Sequence, residues 1–345
     1  MSTDGLNHAR AEWSRFFARR FNRVMVLFIL ALFGAIALGY AANTEPITPE
    51  AVARARAEAQ AQIDQQIQYM EAEYQRCVTG QAAGEGKDFP PGFNCEDLRF
   101  KGTGFTVDDY AQSLLPHQFR FVQESNGVLY LAAAILCMFA FVVGASFVGA
   151  EWTSGGLTNL LLWRPRRIPL LATKLATGLA GIFVVALGAL VFWLGTLWTI
   201  AATRGSTDGA TSGFWQSLSL SSLRVLGLTL AAAAIGFALA SLGRHTAMAL
   251  GCFIGYLLVV ELGARIVFSA VNIAFPERFT LLPYVIGWMS KKYVLYDYDV
   301  CRFSFDVCEP TRYVITWSSA AWVIGLIAAL LMGGAMFAFR RRDVA

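Results

Sequence analysis

The dominant pattern in the chain is a series of six long apolar runs separated by polar segments. Each run contains about 20 residues or more, the length that an α-helix needs to cross the hydrocarbon core of a bilayer. The runs occupy residues 22–41, 127–149, 171–202, 221–243, 247–271 and 314–338. They predict an all-α integral membrane protein built as a bundle of six transmembrane helices. The third run is longer than a bilayer requires, so its helix should tilt or extend beyond the membrane.

The distribution of charge predicts the orientation of this bundle. Basic residues cluster in the segments 1–21, 150–170 and 339–345. The three other polar segments together contain more acidic than basic residues; they are 42–124, 203–220 and 272–313. Because short basic loops remain in the cytoplasm, both termini are expected inside. The chain is 56% hydrophobic with a net charge of +4, which supports a membrane protein and gives no sign of a nucleic-acid partner.

The polar N-terminus predicts a helix that lies in the membrane interface. Within residues 8–21, aromatic side chains recur at helical spacing and arginines lie mostly off that stripe. The aromatic residues are Trp13, Phe16, Phe17 and Phe21. A disordered basic tail is the alternative. Residues 24–38 have the length of a signal-peptide core, but the flank before them is long and cleavage would leave five spans.

The segment 42–124, called the insertion below, predicts an extracellular helical domain. Thr48, Pro49 and Glu50 form a helix start, with a capping hydroxyl, proline in the first turn and an acid beside it. The helix should run to about Cys77. Its small and apolar positions recur every three or four residues; they are Val52, Ala55, Ala59, Ile63, Ile67, Met70, Tyr74 and Cys77. This stripe needs a partner, either the rest of the insertion or the same helix of a second copy.

Four of the six cysteines fall in the expected extracellular segments. An oxidising compartment favours disulfides there, and we expect the sequence-local pairs Cys77–Cys95 and Cys301–Cys308, although four cysteines allow three pairings and free thiols are the alternative. Around the second pair, KKYVLYDYDVCRFSFDVC alternates apolar and polar residues, which predicts a short hairpin closed by those cysteines, within an outer cap.

The loop 150–170 is more patterned than a simple chain reversal requires. Glu151 lies at the end of the second run, and Thr-Ser-Gly-Gly then permits a tight turn. Residues 157–163 are too short to span and predict a brief helix against the membrane face, which Pro165 ends. The loop is expected either to dock a cytoplasmic partner or to serve only as a basic topology signal.

These features resemble the hallmark of ABC-2 type transporter permeases, the membrane subunits of type V ABC exporters. Six spans, the interfacial N-terminal helix and the C-terminal FRRRDVA agree with that family over most of the chain, whereas many members have a much shorter first loop. The resemblance implies a coupling helix in the loop that docks in a cleft of a separate ATP-binding subunit. The residues implied for the helix and its approach are Glu151, Trp152, Thr153, Ser154, Gly155, Gly156 and Leu157. Those implied at its end are Arg164, Pro165 and Arg167.

The fifth run contains two charged residues, Glu261 and Arg265, four positions apart and therefore on one face of an α-helix. Charges within a span usually face the bundle interior, where they mark a substrate contact or gate, or form a structural ion pair. Gly251 and Gly255 in the same run favour close helix packing, within one bundle or between two subunits.

The sequence lacks a phosphate-binding G-x-x-x-x-G-K-[ST] motif, a metal-ligand cluster and a nucleophilic triad. We therefore expect no catalytic residue and no cofactor in this chain, with ATP and Mg²⁺ held by the partner. The resemblance implies ATP-binding-cassette ATPase subunits and a second permease subunit, identical or related, in a bacterial cytoplasmic membrane. The expected cargo is amphipathic or hydrophobic: a lipid, drug, antibiotic or peptide. The alternatives are a ligand-sensing or immunity membrane protein and a scaffold for an envelope complex, neither of which requires an ATPase.

Overall fold

A computed structural model of the chain describes residues 3–82, 94–98, 106–163, 167–271, 273–297 and 309–341. In chain order the α-helices are α1 (Thr3–Ala18), α2 (Arg20–Ala42), α3 (Pro49–Ala82), α4 (Val107–Leu114), α5 (Phe121–Thr153), α6 (Gly156–Trp163), α7 (Arg167–Thr203), α8 (Ser212–Gly243), α9 (Thr246–Gly255), α10 (Arg265–Ala270), α11 (Leu282–Ser290) and α12 (Trp317–Arg341). A π-helix, Tyr256–Ala264, joins α9 to α10, and the strands β1 (Lys292–Asp297) and β2 (Thr311–Thr316) form a small sheet.

The prediction of an all-α membrane bundle is confirmed. Within the described residues, six helical segments are long and apolar enough to cross a membrane: α2, α5, α7, α8, the continuous segment Thr246–Ala270, and α12. Each overlaps one of the six predicted runs. The third, α7, contains 37 residues. At 1.5 Å per residue it is about 55 Å long, so it exceeds the hydrocarbon core.

The chain divides into two compact units. The first contains residues 1–38, 121–199 and 208–345, and α5 and α8 lie at its centre. Their backbones approach closely at two glycines: a Cβ on Gly144 would lie 2.4 Å from the Ala233 carbonyl oxygen, and one on Gly236 would lie 2.3 Å from that of Phe141. In α5, 61% of the most apolar window is buried, against 6% in Thr246–Ala270, so α5 is central and the fifth span is peripheral.

The second unit contains residues 39–120 and 200–207 and includes most of the insertion. Thr48 caps α3 through its hydroxyl, which accepts a hydrogen bond from the Ala51 amide at 3.2 Å. Ala55 and Ala59 of the predicted stripe are buried against Ala111 of α4. The first half of the stripe therefore packs on the rest of the insertion, as one of the two alternatives expected, while Ile67 is exposed.

Two local features fix the ends of the insertion helices. A disulfide joins Cys77 to Cys95, which confirms that predicted pair. Thr106 and Asp109 form a capping box at the start of α4, and their mutual hydrogen bonds lower the pKa of the Asp109 carboxyl. The pair Cys301–Cys308 lies outside the described residues.

The last outer segment differs from its prediction. The partner of β1 is β2, with Lys292 opposite Thr316, so the second strand lies beyond both cysteines of the predicted short hairpin. The strand also takes the first three residues of the predicted sixth run, and α12 begins only at Trp317. The six apolar runs do not include α11, a nine-residue apolar helix that packs on α12 and β1 and is too short to span.

Candidate functional site

The loop between α5 and α7 contains the short helix that its sequence predicts. The helix α5 ends at Thr153, and Gly155 takes a left-handed conformation with φ +71°, which glycine adopts without a steric penalty. The turn is closed by the Ser154 amide, which donates to the Ala150 carbonyl at 3.1 Å. Helix α6 begins at the next residue, so its direction is set by this glycine turn.

The sequence-predicted site residues are divided between two environments. Leu157 is fully buried, whereas Thr153 and Ser154 are exposed. Trp152 packs edge-on against Phe339 of α12, and the Arg244 guanidinium lies 5.1 Å from the centre of its indole. Arg167 begins α7. Arg164 and Pro165 lie outside the described residues.

Glu151 belongs to a network of four charged side chains that we call the charge cluster: Glu12, Arg19, Glu151 and Lys174. The Lys174 Nζ atom lies 2.6 Å from Glu151 Oε2 and 2.8 Å from Glu12 Oε2. Arg19 binds the other oxygen of Glu151 at 2.5 Å. The more exposed Arg15 also binds Glu12, at 2.9 Å. The cluster joins α1, α5 and α7.

The charge cluster is largely removed from solvent. The side chains of Glu12 and Lys174 are only 1% and 2% exposed, and that of Glu151 is 14% exposed. Charges at such positions are tolerated when each has a partner, and removing one partner from a buried pair typically costs about 3–5 kcal/mol. The arrangement is therefore a stiff connection between three helices at the base of α6.

Aromatic packing supports the same connection. The Phe147 ring lies beneath both cations, 5.0 Å from the Arg19 guanidinium and 4.8 Å from Lys174 Nζ. Phe16 of α1 packs edge-on against Phe147, and it lies so close to Gly181 that a Cβ there would be 2.6 Å from its ring. The N-terminal helix is thus packed into the bundle through Phe16, while Trp13, Phe17 and Phe21 remain exposed.

Sequence reasoning identified Glu151 but missed its partners. No local pattern in the sequence indicates that Arg19, Lys174 and Glu12 form one network with Glu151. One signal was available, because Lys174 lies four residues inside the third apolar run and needs a partner there.

The two charged residues of the fifth span do not pair with each other. Arg265 lies 3.3 Å from Glu277, and Glu261 accepts a hydrogen bond from the Tyr256 hydroxyl at 2.7 Å. The physical reason is the π-helix, whose i→i+5 periodicity brings Tyr256 and Glu261 to one face and breaks the expected four-residue spacing. In the described part of the chain, no group of His, Cys, Asp and Glu side chains has the arrangement of a metal site.

Comparison with known proteins supplies one match. The family model described as "ABC-2 family transporter protein" matches residues 8–344, which is almost the whole chain. No curated protein matches the chain.

Proposed function

Because the chain belongs to the ABC-2 family of transporter proteins, we propose that it is the permease subunit of an ATP-driven exporter and that α6 is its coupling helix. A separate ATP-binding-cassette subunit would hold ATP and Mg²⁺ and would bind α6 and the exposed Thr153–Ser154 turn. The chain itself would be non-catalytic. It would act in a bacterial cytoplasmic membrane, with a second identical or related permease subunit.

The charge cluster is the observation that carries this proposal. A coupling element must transmit movement of the ATPase to the spans, and a flexible loop cannot do so. Glu151 lies in the last turn of α5, just before α6, and forms salt bridges with Lys174 and Arg19. Displacement of α6 would therefore move α5, α7 and α1 together.

The energetic requirement is a difference in affinity between two conformations. ATP shifts the equilibrium only if the ATPase binds ATP more tightly when the permease is in one of them. The stiff base of α6 lets the permease conformation influence that affinity, since a change in the angle between α5 and α7 alters the position of α6. An amphipathic or hydrophobic substrate would shift the same equilibrium between the two permease conformations by binding one of them more tightly.

The experiment is a comparison of two variants that introduce the same charge at exposed positions. Asn159→Arg places it on α6, and Ser14→Arg places it on α1, where the native hydroxyl contacts only the local Ala11 carbonyl. Tagged chain is purified gently from its native membranes, the co-purifying proteins are identified, and ATP hydrolysis is measured. We expect Asn159→Arg to lose the ATPase subunit and Ser14→Arg to retain it.

Two results would contradict the proposal. One is a chain that purifies without an ATPase subunit and without ATP hydrolysis in the purified sample. A ligand-sensing or immunity protein would then be the better hypothesis. The other is an ATPase that is retained equally by both variants, which would place the docking surface elsewhere.

A further inference from the structure

The fifth span contains a buried carboxylate oxygen that lacks a hydrogen-bond partner in the described part of the chain. Glu261 Oε1 is inaccessible to solvent and has no hydrogen-bond partner among the described residues. A buried acceptor left unpaired typically costs about 1–3 kcal/mol, and more when it is charged. Such an atom within a membrane span needs an explanation.

The other oxygen of the same carboxylate is held firmly. Glu261 Oε2 accepts from the Tyr256 hydroxyl at 2.7 Å and from the Leu281 amide at 3.3 Å. The Tyr256 hydroxyl in turn lies 2.8 Å from that amide. The two donors orient the carboxylate through Oε2, whereas Oε1 has no hydrogen-bond partner among the described residues.

The nearest basic residue along the span does not neutralise this carboxylate. Arg265 is engaged by Glu277, which lies in the segment just before Leu281. None of the salt bridges between described residues includes Glu261. The carboxylate is thus held in place without a cation at salt-bridge distance among the described residues.

The neighbours of Glu261 in the π-helix are apolar, and Oε1 itself is covered in this structure. The adjacent π-helical residues Leu257, Leu258, Val259 and Leu262 have exposed side chains. A ligand would reach Oε1 only when this cover moves, and it would then meet apolar side chains as well as the carboxylate. Its chemistry must combine a positive charge with an apolar body.

We propose that Glu261 binds the cationic group of an amphipathic substrate. Oε1 would lie next to the positive charge, while Tyr256 and the Leu281 amide hold the carboxylate in position. The π-helix would present an apolar face to the apolar part of the substrate. This inference refines the substrate class. That the bound cation is transported rests on the proposed function, whereas its binding at Glu261 does not.

The test uses two probes of almost identical size and opposite charge, tetraphenylphosphonium and tetraphenylborate. Their binding to the full chain in lipid nanodiscs is measured by equilibrium dialysis, with empty nanodiscs giving the lipid background. We expect Glu261→Gln to weaken tetraphenylphosphonium binding about tenfold or more, because the ionic attraction between the carboxylate and the phosphonium is lost. Tetraphenylborate binding should not weaken. The control Glu309→Gln removes an exposed outer charge and should change neither.

A second variant protects the test against misfolding. Tyr256→Phe keeps the carboxylate and the ring but removes one of the donors to Oε2, so the affinity for tetraphenylphosphonium should fall by less than in Glu261→Gln. Should Glu261→Gln fail to fold, as judged by size-exclusion chromatography, unchanged binding in Tyr256→Phe would overturn the inference.

The remaining outcomes are decisive as well. Equal binding of the cation by the wild type and Glu261→Gln overturns the proposal. So does a Glu261→Gln chain that keeps the preference for the cation but no longer self-associates in size-exclusion chromatography as the wild type does, because Oε1 would then serve a contact between two copies. Failure of the exporter hypothesis is distinguishable, since it would appear as absent ATP hydrolysis while the cation still bound.

Discussion

At the scale of single residues, Lys174 shows why the site was only partly predictable. A lysine near the start of an apolar run has the appearance of a topology signal, and the positive-inside rule accounts for it fully. Its actual partners, Glu12 and Glu151, are 162 and 23 positions away in sequence. Pairing over such distances is a property of helix packing, which no local pattern encodes.

Removing this lysine should destabilise the bundle. Lys174→Met keeps the apolar stem but leaves Glu12 and Glu151 without their shared cation, at a cost of about 3–5 kcal/mol. We expect a clearly lower unfolding temperature of the purified protein, measured by intrinsic fluorescence.

The matched control for this prediction is Arg15→Gln. Arg15 also binds Glu12, at 2.9 Å, but its side chain is 52% exposed. Exposed pairs contribute about 0–1 kcal/mol, so its unfolding temperature should change little. Equal effects of the two variants would mean that burial does not determine the energetics of the charge cluster.

At the scale of elements, long periodic segments were predictable and short ones were not. The start of α3 at Pro49 follows from local capping chemistry, and each span follows from its apolar length. In contrast, β2 directly precedes α12, so its apolar residues merge with the sixth run in the sequence. The sequence does not predict the π-helix either, because its residues have the same composition as any apolar α-helix and its i→i+5 spacing is a property of the backbone.

The packing of α5 on α8 gives a prediction about glycine. Gly144→Ala would place a methyl group 2.4 Å from a backbone oxygen of α8, which cannot move aside as a side-chain end can. We expect destabilisation of about 1–3 kcal/mol, the usual cost of overpacking, measured as a lower denaturation midpoint.

The control for that substitution lies on the same helix. A Cβ on Gly127 meets nothing within 4 Å. Alanine there should be neutral or slightly stabilising, because it restricts the unfolded chain and favours the helix. A Gly144→Ala protein as stable as Gly127→Ala would show that α5 and α8 are not in close contact.

At the scale of the whole molecule, six spans place both chain ends on the same side of the membrane. The segments between spans then alternate sides, so the insertion and the loop 150–170 must lie on opposite sides. Charge selects the orientation with both ends inside, and this choice stays a prediction.

Labelling of introduced cysteines tests the orientation. Ser14→Cys on α1 should react with a membrane-impermeant maleimide only after the membrane is permeabilised, whereas Gln66→Cys on α3 should react in intact cells. Both native positions are exposed in the structure. The unsubstituted chain gives the background from its own thiols, and the reverse pattern would invert the proposed topology.

The link between Lys174 and Glu12 also constrains how the protein is made. During synthesis α1 emerges long before α7, so Glu12 has no Lys174 to bind until the whole insertion and both intervening spans have been completed. The N-terminal helix must therefore wait at the membrane surface and dock late. A chain whose third span has not inserted would therefore lack the Lys174–Glu12 bond that holds the N-terminal helix in the bundle.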